Sequence, residues 1–528
     1  MSAVPQVPLR VALRVDASAT IGTGHLRRCL SLAEALAEQG AAIILLVRRL
    51  DTVAPQMLKG CTFPVRWLPA PGPADAPDPD GPPHAVWAGV AWRRDADETV
   101  AALLDMSPQW LVVDHYAIDA NWHDVLRDAL GCRLLVVDDV ADRPLSADIL
   151  LDQNWAEDHR AKYRVRLTRE PKWLTGPRYA LLSAAYRNAP HYHFHAEVRS
   201  VGIFMGGTDP DGASASVLRC LREEVGFAGP VEVVSTSANP HLGALREACA
   251  ASPHTMLTMD LPDLAAFFAR HDLQIGAGGG ATWERCCVGA PTVGLALTAN
   301  QKATISGLDA LGAISAASLG ASPSGDQAST VPPLSKALRH LCDTPANRQG
   351  LATSSARLVD GRGVDRVGLY LTAGTLRVRN ARIEDTTMLY AWRNHPAVRS
   401  VSVSTAAIDF NDHRRWMRSV LNARDRWLFV AEVGALAVGS IRFDLTAADS
   451  ALVSLYIDPA LPAMGLGQRM LRCGEEALSG ALERTVTVRA TVAASNRASV
   501  RLFSAGGYSG GPTEFYKRIP SVSQARSP

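Results

Sequence analysis

Apolar residues at Val11, Leu13 and Val15 alternate with other side chains; after a loop rich in Gly, Ser and Thr, apolar positions resume at Leu26, Leu30, Ala33 and Ala37. The change from a two-residue to a helical period predicts strand, loop and helix across residues 10–39. Residues 41–47 (AAIILLV) form a continuous apolar run, as expected of a strand covered on both faces of a parallel sheet. Two further runs end in polar residues: 110–113 leads into Asp114-His115-Tyr116, and 133–137 into Asp138-Asp139. In open α/β sheets ligands bind beyond the carboxyl ends of strands, so these polar groups belong on a binding edge.

A second series starts at residues 201–205 and passes through Gly206-Gly207-Thr208-Asp209-Pro210 into a helical pattern over 213–223. Strands are expected at 231–235 and 273–277, with Gly278-Gly279-Gly280 opening another helix. Two Rossmann-like halves are therefore predicted, joined near 185–199 and completed by helices to about Leu371. From Thr375 the pattern changes: strands at 376–379, 427–433, 437–443, 451–457 and 486–492 mix with helices at 384–392, 468–478 and 498–505. The fold class expected is α/β followed by α+β. Residues 69–83 (PAPGPADAPDPDGPP) and 322–333 (SPSGDQASTVPP) read as exposed loops.

The length of 528 residues suggests about three domains. Hydrophobic residues at 47%, charged residues at 20% and a formal net charge of +2 argue against disorder and against broad electrostatic binding of nucleic acid. The nine cysteines form no C-x-x-C pair, which suits a reducing compartment. No apolar run reaches the roughly 18 residues of a membrane span and the first ten residues lack a signal-peptide core. A cytoplasmic protein without membrane or nucleic-acid partners is expected.

The loop Gly22-Thr23-Gly24-His25 lets the backbone approach a ligand, and the following helix end favours an anion. His25 there either caps the helix or faces phosphate or sugar. Gly206, Gly207 and Thr208 offer amides to a diphosphate. Glu284 either interacts with its helix dipole or accepts hydrogen bonds from ribose hydroxyls. Asn300 and Gln301 are either loop residues or further substrate contacts. No Asp-x-Asp stands beside a nucleotide site, so a metal is not required.

Over residues 8–371 the motifs RVDASATIGTGHLRRCLSLAEAL, LVVDHYAID, VVDDVADRP, LTGPRYALL, MGGTDPDG, GGGATWERCCVGAPTVGLALTANQ and LVDGRGVDRV resemble the UDP-2,4-diacetamido-2,4,6-trideoxy-β-L-altropyranose hydrolase family of pseudaminic acid biosynthesis. That family is similar to glycosyltransferases of the GT-B fold. The resemblance implies that water attacks the anomeric carbon with inversion and UDP departs, with His25 as general base and Tyr116 orienting sugar or water.

Residues 376–518 resemble GCN5-related N-acetyltransferases (GNAT) through LVSLYIDPALPAMGLGQRML and NRASVRLFSAGGY. The resemblance implies that Met464, Gly465, Leu466, Gly467 and Asn496 bind acetyl-CoA. Pro462 stands where the family usually has Gln or Arg, and Phe503 where a tyrosine often serves as acid, which leaves the acid unassigned, with Tyr508 either that acid or a core aromatic. Glu432 and Asp444 are candidates for assisting amine deprotonation. The opening LRVRNARIEDTTMLYAWRNHPAVR resembles acetyltransferases acting on UDP-4-amino-4,6-dideoxy-N-acetyl-β-L-altrosamine. The combined expectation is a GT-B-like pair of Rossmann-like domains (8–185 and 186–371), a GNAT domain (372–519) and a tail (520–528), which together acetylate a UDP-amino sugar and hydrolyse the product. The competing readings are a UDP-sugar glycosyltransferase fused to another acyltransferase, and a nucleotide-sugar or acyl-CoA sensor.

Overall fold

The computed structural model describes residues 8–79, 81–319, 331–461, 464–482, 484–493, 495–511 and 513–521. Pro462, most of 322–333 and most of the tail lie outside the described residues. The chain divides into two compact units, Met1–Ala35 with Ala42–Val367 and Leu36–Ala41 with Gly368–Pro528.

The first unit holds two parallel sheets. In the first sheet are β1 (Arg10–Val15), β2 (Ala42–Arg48), β3 (Val65–Leu68), β4 (Trp110–Asp114), β5 (Arg133–Val137), β6 (Ile149–Asp152) and β7 (Lys172–Thr175), in the order β3-β2-β1-β4-β5-β6-β7. Leu13 is aligned with Leu45 on one side and Val112 on the other. The near-continuous burial of β2 and β4 explains their apolar runs, and β1 is buried as well, Arg14 included. The second sheet contains β8 (Val201–Phe204), β9 (Val231–Ser235), β10 (Thr255–Met259), β11 (Leu273–Ala277), β12 (Thr292–Leu295) and β13 (Ser315–Ala317), in the order β10-β9-β8-β11-β12-β13.

Both sheets reverse their winding beside their first strand, between β1 and β4 and between β8 and β11. A crevice opens at the carboxyl ends of such a pair. The Gly22–His25 loop follows β1 and Asp114 ends β4, while Gly206-Gly207 follows β8 and Gly278–Gly280 follows β11. Each glycine loop thus stands at a switch point.

The second unit is one mixed sheet, β14 (Arg377–Asn380), β15 (Arg426–Val433), β16 (Leu436–Ala447), β17 (Ser450–Ile457), β18 (Val486–Thr491), β19 (Ser509–Gly510) and β20 (Glu514–Ile519), in the order β14-β15-β16-β17-β18-β20-β19. Only β17 and β18 run parallel, and they pair solely where Ser450, Ala451 and Leu452 face Thr487, Val488 and Arg489. Beyond those positions the strands part. The helix Leu466–Ala481 buries Leu466, Met470, Leu471 and Leu478, and a Cβ on its Gly474 would lie 2.8 Å from Ile441 Cδ1. This is the α+β architecture expected.

Some elements depart from the sequence pattern. The helix at 213–223 is α-helical over Ala213–Arg219 and widens to a π-helical turn over Cys220–Glu224. The short strands β3, β6, β7, β10, β12 and β13 carry too few residues to show a period, and neighbouring strands select them.

Candidate active site

Asp114 is fully buried at the end of β4, and His25 is the second residue of the helix Gly24–Glu38 after β1. Because β1 and β4 are neighbours, the two meet: His25 Nδ1 lies 2.6 Å from Asp114 Oδ1. The carboxylate accepts, so Nδ1 carries the hydrogen and a neutral ring keeps its lone pair on Nε2. Arg28, one helical turn further on, donates to Asp114 through Nε and Nη2, each at 2.6 Å. Burial opposes the charge on Asp114, but Arg28 and His25 outweigh it and hold the carboxyl well below its usual range.

Tyr116 lies two residues past the strand. Its ring meets His25 edge-on at 4.6 Å and 84°, and its hydroxyl donates to Asp139 at the end of β5. Burial and Asp139 keep the phenol protonated by raising it far above its usual value. Trp87 stacks on Tyr116 at 5.4 Å and stands 5.9 Å from His25, while His84 lies 4.8 Å from Trp87 and pairs with Asp142 at 3.2 Å. Trp87 sits on the short turn Ala85–Ala88, immediately after the Pro-rich stretch. That stretch therefore brings an aromatic wall to His25, which its polar composition does not signal.

The second half faces this group. A Cβ on Gly207 would lie 3.6 Å from Thr23 Oγ1, so the loops GTGH and GGT meet. Gly22 and Gly206 have left-handed backbones, φ +81° and +103°, and a Cβ on Gly22, Gly24 or Gly206 would meet nothing within 4 Å. The amides of the helix Ala213–Arg219 are not all open to a ligand, since Asp209 accepts from Ala213 N and Ser214 N. Beside Gly206 and Thr208, the Gly207 carbonyl accepts from the Thr236 hydroxyl.

Glu284 lies on the helix Ala281–Val288. Burial raises its carboxyl above the ordinary range, while Tyr186 and Arg27, the latter on the helix bearing His25, act in the opposite direction. Beside it Trp283 Nε1 donates to Asn154 Oδ1 at 3.1 Å, and Asn154 Nδ2 donates to Asp139 Oδ2 at 3.1 Å. Asn300 and Gln301 are locally engaged: Asn300 Oδ1 accepts from Thr298 at 2.6 Å and Gln301 Oε1 from Leu297 N at 3.0 Å. Thus His25, Tyr116 and the glycine loops converge, whereas Arg27, Arg28, Trp87, His84, Asp139, Asn154 and Trp283 are neighbours that sequence spacing does not reveal.

In the second unit Gly465 adopts φ +70° at the start of the helix Leu466–Ala481, whose first turn has no acidic side chain. A Cβ at Gly465 would meet nothing within 4 Å, and one on Gly467 would touch Leu502 at 3.4 Å. Close packing and an open helix end beside the parted strands fit a pyrophosphate, with amides rather than side chains as donors. Met464 and Leu466 bury their side chains. Asn496 caps its own helix through Ser499 N and donates to the Val401 carbonyl, both at 3.0 Å.

Tyr508 is 6% exposed, packs 5.0 Å from Phe503, and is pushed well above the usual phenol range by burial and Glu475. It stands in the core. Glu432 is bonded by Arg379 at 2.7 Å and Asp444 by Arg442 at 2.9 Å, so both candidate carboxylates are ion-paired.

The fold is a pair of Rossmann-like domains built on parallel sheets, followed by an α+β domain built on one mixed sheet. No family model matches the chain. It is 27% identical over 143 residues to the spore coat polysaccharide biosynthesis protein SpsG of Bacillus subtilis (strain 168), a match covering 27% of this chain and 42% of that protein. The chain thus spans less than half the length of that curated relative. Among solved structures, MurG of Acinetobacter baumannii shares 15% identity, covering 69% of this chain and all of MurG with a TM-score of 0.47. The glycosyltransferase SsfS6 of Streptomyces sp. SF2575 shares 14%, covering 68% of this chain and 99% of its own, TM-score 0.41. Aminoglycoside acetyltransferase AAC(6')-Ib in complex with coenzyme A shares 15%, covering 29% of this chain and 98% of its own, TM-score 0.25.

These findings correct the expectation of a UDP-sugar hydrolase of pseudaminic acid biosynthesis: the curated relative that the chain matches is named a spore coat polysaccharide biosynthesis protein. The glycine loops and histidine are compatible with either attacking group, so motif resemblance alone misassigned the reaction. Among the described residues no helix is long and apolar enough to cross a membrane, and no group of three or more His, Cys, Asp or Glu is placed to hold a metal ion.

Proposed function

We propose that the first unit transfers a sugar from a uridine diphosphate sugar to an acceptor hydroxyl, and that the second transfers acetyl from acetyl-CoA to a sugar amine. The observation that carries the first assignment is the His25–Asp114 pair, 2.6 Å apart, on the edge facing the Gly206–Thr208 amides. His25 Nε2 accepts the proton of the acceptor hydroxyl as its oxygen bonds to the anomeric carbon. The bond from that carbon to the diphosphate oxygen breaks, and the charge left on UDP is taken by the Gly206, Gly207 and Thr208 amides. Glu284 accepts from the ribose, Tyr116 braces the base, and Asn300 and Gln301 close the donor side.

In the second unit the amides from Gly465 onward hold the pyrophosphate of acetyl-CoA between β17 and β18. The amine nitrogen bonds to the thioester carbonyl carbon, the carbon–sulfur bond breaks, and the proton that the nitrogen gives up balances the departing thiolate as the free thiol of CoA.

The test is a panel of UDP-sugars given to the full-length protein with and without acceptor alcohols, following UDP release and product mass, with His25→Ala alongside. Acceptor-dependent release that falls about 10²–10⁴-fold in the variant is expected. UDP release at the same rate without acceptor overturns glycosyl transfer. For the second unit, thiol release from acetyl-CoA should require an amino sugar; failure of every amine, with no binding of CoA, overturns that half.

A further inference from the structure

A hydrogen-bonded path joins the donor-side helix to the base. Trp283, 1% exposed and adjacent to Glu284, donates Nε1–H to Asn154 Oδ1 at 3.1 Å. Tryptophan can only donate, so this bond fixes which way the Asn154 amide faces. Its Nδ2 then points to Asp139 Oδ2 at 3.1 Å. The same oxygen lies 3.4 Å from Arg28 Nη1, while Arg28 holds Asp114 at 2.6 Å. Arg28 is therefore shared unequally between two carboxylates, and the Asn154 bond relieves the weaker claimant.

We propose that Trp283 and Asn154 are positioning residues: they set how Arg28 divides between Asp114 and Asp139, and so couple seating of the nucleotide to the state of His25. Without the indole N–H the amide is free to turn its oxygen toward Asp139. Asp139 then draws Arg28, Asp114 loses part of its counter-charge, and the His25 ring holds a proton more tightly. The base is consequently blocked up to a higher pH. The kinetic part of this inference rests on the glycosyl-transfer reading.

Three full-length variants test it: Trp283→Phe, Asn154→Ala and the double variant. With the donor and acceptor that the wild type uses, each is expected to move the acid limb of kcat upward by roughly half a pH unit. Well down the acid limb kcat falls about threefold, and by less at neutral pH, with KM for the donor within about twofold. Because Trp283 acts through Asn154, the double variant should be no worse than Asn154→Ala. Additive losses with an unmoved acid limb overturn the coupling and leave a packing role only.

A second measurement does not depend on turnover. In protein labelled with ¹³C-histidine, UDP should move the His25 ring signal, assigned by its loss in His25→Asn, in the wild type but not in Trp283→Phe or Asn154→Ala, with UDP binding followed by calorimetry. Equal movement in all proteins, or none in the wild type with UDP bound, overturns the proposal; failure of UDP to bind the wild type overturns it together with the donor site. If the signal responds as expected but no donor and acceptor react, the transfer reading fails and the coupling stands.

Discussion

His25 Nδ1 lies 2.6 Å from Asp114 Oδ1, although the residues are 89 positions apart, because parallel pairing of β1 with β4 aligns their carboxyl ends. Asp114 fixes the tautomer that leaves Nε2 free to accept a proton. Asp114→Asn retains the shape but removes the charge that stabilises the protonated ring. Acceptor-dependent UDP release should fall about 10²–10³-fold in kcat, with little change in KM for the donor, as measured by steady-state kinetics.

Trp87 forms the wall between Tyr116 and His84 beside the base. An indole face suits the apolar face of a pyranose ring. Trp87→Ala should raise KM for the acceptor roughly tenfold and increase UDP lost to water relative to transferred product, whereas Trp87→Phe should restore most of the partition. Product ratios by mass spectrometry read both effects.

Asp16, Asp95 and Asp114 are each buried, with a penalty on their charge, yet Arg14, Arg48, His115, His25 and Arg28 hold them below the normal carboxylate range. Their folded values lie below the unfolded ones, so their stabilisation is fully present above about pH 4 and is lost as pH falls toward the folded values. The melting temperature of the first unit should therefore be level through neutral pH and drop steeply below about pH 4 in calorimetry.

Glu284 has the opposite sign, because burial raises its folded value. Its favourable contribution is present below the unfolded value and lost as pH rises through the raised one. At neutral pH Glu284→Gln should raise the melting temperature by about 1–2 °C while weakening UDP binding, measured by calorimetry on the same sample.

A Cβ on Gly307 would fall 2.0 Å from ring carbons of Trp155. Trp155 follows β6 of the first sheet and Gly307 lies on the helix Gln301–Ala310 after β12 of the second. Gly307→Ala should cost about 1–3 kcal/mol, visible as a lower denaturation midpoint.

Much of the framework was legible in the chain itself. An alternating pattern marks β1, continuous apolar runs mark β2, β4 and β5, and glycines at 22–24, 206–207 and 278–280 mark the loops after β1, β8 and β11, since burial and backbone freedom are properties of short stretches. In the second unit the succession of strand, Gly465-x-Gly467 and helix was likewise legible. Short strands such as β12 and β13 were not, because three or four residues show no period without a neighbour.

What surrounds the base was decided by tertiary structure alone. The Pro-rich stretch near 69–83 reads as solvent loop, yet it leads into the wall of His84 and Trp87. Tyr508 reads either as an acid or as a core aromatic, and only the structure shows its ring packed against Phe503. Trp283 reaches Asn154 across 129 positions of sequence. Local composition determines which segments become strands, helices and ligand loops, because each choice is made by a few consecutive residues. Partnership between His25, Asp114, Arg28 and Asp139 depends on the order in which strands are laid beside one another, and that order is set by the summed packing of the whole unit.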